Sequence, residues 1–343
     1  MAANLSSGAN QRYETAGLDI LNGLKPDVVC IQEFNYASTN GLGTSTPAAM
    51  REMIDATFGT NFYYFRETNS GYAIPNGIIS RYPIITNGSW VDSDTGVNDR
   101  GFAWAQIDLP GTNDLYAVSI HLKASNGGTN PARRAAEAME VSEHIRTNFP
   151  PNSWIVVGGD LNTYSQSEDC MTTFTTYLSD ATFPADQGGD PDTNAGRANR
   201  YDRVMASFAF TNSQIPVVIG ASTFNNGLVF DSRVYMPLTD VAPVAPGDSG
   251  VSGMQHMGIV KDFRYSISAS NPLVVTPPYL VMATASIIRW NGTSNAVYSV
   301  QTKTNLLLTN WLTLGTASST TTNFSYTNSS AATGQSFYRV SYP

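Results

Sequence analysis

Of 343 residues only two are cysteine, Cys30 and Cys170, and only three are histidine. Two thiols are too few for a disulfide framework or a thiolate metal site. Cys30 stands inside an apolar run, where a thiol behaves as a small hydrophobe; its pairing with Cys170 stays open. No apolar run approaches the ~20 residues of a membrane-spanning helix, and no basic stretch followed by an apolar one precedes Met1. The chain opens almost directly on a core strand, so an export segment is expected to lie outside it. Acids are missing altogether after residue 265: from Ser266 to Pro343 only Arg289, Lys303 and Arg339 carry charge. The first 265 residues hold 16 bases against 27 acids, a net of −11. Such a surface repels polyanions at long range. A nucleic-acid role must then rest on metal ions and a local basic patch.

What is present suffices for a large packed core. Hydrophobic residues make up 41% of a chain longer than one average domain, so one large domain plus a smaller one is expected. Apolar periodicity predicts helices at 13–24, 48–58, 131–148 and 170–178, the third with Pro131 near its start. Strands are predicted at 1–5, 27–31, 62–65, 77–80, 102–109, 115–122, 201–206, 208–210, 217–219 and 257–263. Asp186 to Asn199 reads as a long Gly/Asp/Asn-rich loop. Strands alternating with helices, plus several hairpins, imply a layered domain with helices covering mixed sheets. Near Ser270 the composition turns to Ser, Thr and Asn with alternating segments at 298–301, 324–326 and 337–340, a small β-sandwich pattern. The resulting division is a large first domain 1–265, a linker 266–278 marked by Asn271-Pro272 and Pro277-Pro278, and a small accessory domain 279–343.

Trp154 to Asn162, W-I-V-V-G-G-D-L-N, is a short β-branched strand that stops at two glycines and delivers Asp160 and Asn162 to a loop. By itself G-D-x-N is also an ordinary turn. Other polar residues, however, stand at strand ends: Asn4, Glu33, His121, His256 just before a strand, and Asp202 opening one. The third histidine, His144, lies in an Ala-rich helix and reads as surface. Phosphodiester hydrolysis suits this set. A hard divalent cation takes one or two oxygen ligands and keeps several waters, which Asn4 and Glu33 can supply. It would polarise the phosphoryl oxygen. Asp160 would orient or deprotonate the attacking water and Asn162 fix its geometry. His256 backed by Asp202 would serve as general base or as a cationic clamp on the phosphate.

Six motifs occur in order: Q-E at Gln32-Glu33, S-R-Y-P-I at Ser80 to Ile84, H-L-K at His121 to Lys123, G-D-L-N at Gly159 to Asn162, Y-D-R-V at Tyr201 to Val204, and Q-H-M-G-I-V at Gln255 to Val260. Together they resemble the endonuclease/exonuclease/phosphatase superfamily over about Met1 to Phe263. The resemblance implies an α+β fold, a four-layered αββα sandwich with the site at the top of its two sheets. It implies Asn4 and Glu33 as metal ligands, Arg100 on the scissile phosphate, and His121, Asp160, Asn162, Asp202 and His256 as the catalytic set. Two residues depart from the pattern. Gln255 stands where the family usually has an Asp before the second histidine, with Asp248 as a candidate replacement. Asn76 stands nearest to the Glu that deoxyribonuclease-like members pair with the first histidine, and an amide would raise the pKa of His121 less.

The leading expectation is a secreted, monomeric nuclease using Mg²⁺ or Mn²⁺, with Ca²⁺ a further option, that cleaves DNA, or RNA, with little sequence preference. Arg200, with Arg197 and Arg203, would grip the backbone. A phospholipid or phosphoinositide phosphodiesterase is the alternative; it wants an exposed apolar loop, for which Phe224 to Phe230 is the candidate. An inactive binding or adhesion protein is the third reading. The C-terminal domain loosely resembles small β-domains appended to secreted bacterial proteins and would bind carbohydrate or a cell surface.

Overall fold

The computed structural model describes residues 1–37, 45–68, 73–93, 100–111, 113–265, 286–292, 294–304, 310–321, 323–328 and 337–341. Two compact units, Met1–Ser266 and Ile267–Pro343, divide the chain. The expected linker 266–278 lies outside the described residues.

In the first unit β-branched and apolar runs pair into two six-stranded sheets. The first holds β1 (Ala2–Ala3), β2 (Val28–Ile31), β3 (Tyr63–Arg66), β4 (Gly77–Ser80) and two later strands, Leu228–Phe230 and Gly258–Val260. The second runs in the order β5 (Ile84–Trp90), β6 (Phe102–Ile107), β7 (Leu115–His121), β8 (Trp154–Asp160), β10 (Asp202–Ser207), β9 (Leu178–Ser179). Small and β-branched side chains from both sheets, among them Ala2, Cys30, Ile78, Ala117, Val156 and Val204, fill the space between them. The outer face of the first sheet packs on α1 (Thr15–Leu24) and α2 (Pro47–Phe58). That of the second packs on α3 (Asn130–Asn148) and α4 (Asp169–Phe174). The αββα sandwich is therefore present. Local chemistry sets the helix ends. The Thr46 side chain accepts from Ala49 N–H to start α2, and α1 stops at Lys25, left-handed, before Pro26.

Four local expectations differ from the fold. Phe208–Thr211 is a helical turn, not a strand, because Phe210 turns inward to stack between Trp154 and Phe263. The 170–178 helix ends at Phe174, and Leu178–Ser179 instead pairs with β10. Strand β5 went unread because its middle, Thr86 to Ser89, is polar and largely exposed. Phe224 to Phe230 is no exposed apolar loop: Ser222–Phe224 lies in a hairpin and Leu228, Val229 and Phe230 are buried in the first sheet.

In the second unit, Ser286–Asn291 pairs with Asn323–Asn328, and Val297–Lys303 lies between Leu312–Ser318 and Phe337–Ser341. The Tyr298 ring meets Phe324 and Trp290 edge-on, at 4.9 and 6.0 Å, joining the two small sheets. Among the described residues no helix is long and apolar enough to cross a membrane. Both cysteines are free and buried.

Candidate active site

Strand register assembles the site. β7 and β8 are parallel with His121 beside Asp160, while β10 runs antiparallel to β8 with Asp202 on the other side of Asp160. On the facing sheet Ala3 lies beside Ile31, so the next residues, Asn4 and Gln32, leave at the same end. Gln32 Nε2 donates to Ser119 Oγ of β7 at 2.8 Å, and Ser119 Oγ donates to the Ile31 carbonyl at 2.9 Å, bolting the sheets together here. Gly159 makes the approach of β7 and β8 feasible, for a Cβ there would sit 1.9 Å from the Ile120 carbonyl oxygen.

Asp160 is the hub. Its Oδ2 takes Asn4 Nδ2, His121 Nε2 and His256 Nε2, each at 3.3 Å. Its Oδ1 accepts the Asn162 N–H at 2.9 Å. Asn162 adopts a left-handed φ of 51° and donates its side-chain amide to the Leu122 carbonyl at 3.0 Å. Burial alone would raise the Asp160 pKa; the charges of His256 and His121 and the Asn162 amide outweigh it and hold the carboxyl well below its usual range. His256 Nδ1 meets Asp202 Oδ2 at 2.8 Å, and the same oxygen accepts the Thr193 hydroxyl at 2.7 Å. Burial disfavours imidazolium, yet Asp202 and Asp160 prevail and push His256 up to about 10. His256 therefore carries the proton of the pair at neutral pH. His121 Nδ1 has no hydrogen-bond partner.

Glu33, left-handed at φ 51° and buried, accepts the Ser6 hydroxyl. Asn4 gives its amide nitrogen to Asp160 and leaves Oδ1 buried without a partner. A buried orphan carbonyl oxygen and a buried carboxylate form an all-oxygen donor set, which fits a hard divalent cation. The ligand atoms of Asp160, Asp202 and His256 also lie within 4.8 Å of one another. His256 of that trio is protonated and cannot ligate a cation, so Asn4 and Glu33 are the better metal ligands.

The remaining expected residues lie around this centre. Arg100 Nη2 donates to the Leu122 carbonyl that Asn162 also uses. Asn76 is not hydrogen-bonded to His121: its amide nitrogen donates to the Gly101 carbonyl at 2.6 Å and its backbone N–H to Glu67. Arg200 is paired with Asp180, and its guanidinium lies 3.7 Å over the Phe183 ring, turned to that neighbourhood rather than to Asp160. Arg197 pairs with Asp186 and Asp190, and Arg203 donates to Thr163 and approaches Asp180 at 3.8 Å. Asp248 accepts the Ala245 N–H and so closes its own loop rather than replacing the acid absent at 255. Sequence reasoning missed Glu67, a fully buried carboxyl that accepts from Ser89 Oγ and from the N–H groups of Asn76 and Gly101. It also missed Arg134, whose Nη1 ties the Lys123 and Ser125 carbonyls. Glu67 follows Arg66 and precedes Thr-Asn-Ser, and Arg134 follows Arg133, so neither stands out as an isolated charge in an apolar run.

Two facing sheets with carboxylates, amides and histidines converging at one end define a phosphoesterase-type site. The sequence model of the Endonuclease/Exonuclease/phosphatase family matches residues 4–222, and the chain belongs to that family, whose members hydrolyse phosphate esters with divalent metals. Among solved structures, an endonuclease/exonuclease/phosphatase from Beutenbergia cavernae is 14% identical, with a TM-score of 0.49 over 95% of this chain and 86% of that one. A variant of beta toxin from Staphylococcus aureus with bound magnesium ions is 17% identical, with a TM-score of 0.42 over 66% and 94%. Humanized D. rerio TDP2 is 17% identical, with a TM-score of 0.45 over 74% and 97%. No curated protein matches the chain.

Proposed function

We propose that the chain is a secreted nuclease that uses Mg²⁺ or Mn²⁺ to cleave DNA with little sequence preference. One observation carries the reading: two histidines from opposite sides of the site, His121 and His256, converge with Asn4 on the single oxygen Asp160 Oδ2. Contacts of 3.3 Å are long for charge-assisted hydrogen bonds, so a phosphate oxygen or a water can take them over. A divalent cation held by Asn4 Oδ1 and Glu33 would supply charge to the phosphoryl and leaving oxygens. Asp160, kept ionised, orients the attacking water as an acceptor, with Asn162 fixing its Oδ1. His256, kept protonated by Asp202, donates Nε2–H to a phosphate oxygen as a clamp rather than acting as the base. His121 donates from the other side.

The lipid alternative loses its supporting feature, because the candidate membrane loop is strand and core. The acid-free C-terminal unit, rich in Ser, Thr and Asn, supports an extracellular setting and a surface- or carbohydrate-binding role.

Plasmid DNA incubated with Mg²⁺ or Mn²⁺, with EDTA and His256→Ala as controls and phospholipid vesicles in parallel, tests the reading. Nicking that needs both metal and His256 is expected. Turnover of lipid without nicking moves the assignment to the alternative, and no turnover of either substrate refutes it.

A further inference from the structure

The arginines expected to hold a polyanion at the site are taken up within the fold. Arg197, Arg200 and Arg203 are engaged with carboxylates or buried hydroxyls, and the unit is acidic. A polynucleotide needs some other grip, and an aromatic one is present. Tyr164, two residues beyond Asn162, is 36% exposed. Its ring meets Tyr201 at 5.1 Å and 61°, and Tyr201 in turn lies 6.0 Å from the His256 ring. A line of rings thus leads from the catalytic histidine to the surface in two steps.

The outer ring is held from below. Tyr164 N–H donates to Glu168 Oε1 at 2.7 Å, and Glu168 Oε2 accepts Arg134 Nε at 2.8 Å. The Arg134 guanidinium lies 5.8 Å from the Tyr164 centroid. The Arg134 side chain is wholly buried and also ties the Lys123 and Ser125 carbonyls just past His121. The same support therefore sets the His121 loop and the Tyr164 ring, so the ring loses little freedom when a ligand stacks on it.

We infer that Tyr164, braced by Tyr201 and Arg134, is a stacking platform for an unpaired nucleobase next to the scissile phosphate. This rests on the nuclease reading and narrows it to single-stranded or locally opened nucleic acid. Every base offers a π face, so the platform adds affinity without adding sequence preference.

The test uses a single-stranded hexathymidylate with one cleavable linkage, the others being phosphorothioates, and two analogues lacking the base on one or the other side of that linkage. kcat/KM is measured with Mg²⁺ for the full chain and for Tyr164→Ala and Tyr164→Phe. Removing one of the two bases is expected to lower wild-type kcat/KM by about 5- to 50-fold. The same removal should change Tyr164→Ala less than about twofold, and Tyr164→Phe should behave as wild type. Equal losses in wild type and Tyr164→Ala, or no loss in either, overturn the platform while leaving the nuclease reading intact. Failure of the wild type to cleave any of the three while it nicks plasmid DNA overturns the platform alone, and failure on plasmid DNA as well refutes the nuclease reading.

Discussion

Glu67→Gln should stabilise the protein above neutral pH and leave it unchanged in acid. The Glu67 carboxyl receives three donors, Ser89 Oγ at 2.6 Å, Asn76 N–H at 2.7 Å and Gly101 N–H at 3.3 Å, all of which favour its ionised form. Burial opposes them and wins, pushing the pKa from 4.5 up to about 7. The folded protein thus holds this proton more tightly than the unfolded chain. The stability it contributes is complete below about 4.5, declines between 4.5 and about 7, and has gone above that. At 1.36 kcal/mol per pH unit the change amounts to on the order of 3 kcal/mol. Glutamine keeps an oxygen for the two amides and can donate its nitrogen to Ser89 Oγ, but never ionises. The variant should match wild type near pH 5 and exceed it near pH 8, by roughly 6–12 °C in unfolding temperature for a unit of this size. Differential scanning calorimetry of the full chain from pH 5 to 8 measures it. A gap that stays constant with pH, or a variant less stable at pH 8, would refute the argument.

Gly159→Ala should lower turnover by about 100-fold, because a Cβ 1.9 Å from the Ile120 carbonyl forces β7 and β8, and with them His121 and Asp160, apart. Circular dichroism beside single-turnover assays checks it, and unchanged turnover in a folded variant would sink it. Asp202→Asn should reduce kcat by about 10²- to 10⁴-fold. It should also bring the alkaline limb of the pH–rate profile down, since the imidazolium that persists to about 10 in wild type loses its nearer carboxylate. A limb that stays in place would show that His256 does not act as the cation. Activity on DNA should fall only shallowly with salt, because Arg197, Arg200 and Arg203 are engaged within the fold. A log–log slope as steep as ~6 phosphate contacts would produce contradicts this.

Much of the fold was legible because it is local. Gly77–Ser80 and Val217–Ile219 are strands where short apolar runs predict them, and α3 lies within a residue of its predicted span. The catalytic candidates could be picked out because a polar residue that ends an apolar run is visible in one dimension: Asp160 after W-I-V-V-G-G, His121 after L-Y-A-V-S-I. Pattern misled where a distant partner decided the outcome. Phe210 became helical to reach Trp154 and Phe263, and β5 is a strand by virtue of β6 despite its polar face.

The sequence by itself determined which side chains stand at strand ends and hence the chemistry within reach, since both follow from short-range periodicity. Only the tertiary structure decided the register that sets His121, Asp160 and Asp202 abreast, and which charges are left over. Arg200 reads as free in the chain and is claimed by Asp180; Glu67, which no motif marks, is sealed beneath Asn76 and Gly101. Pairing and desolvation act between residues far apart in sequence, and no local pattern encodes them.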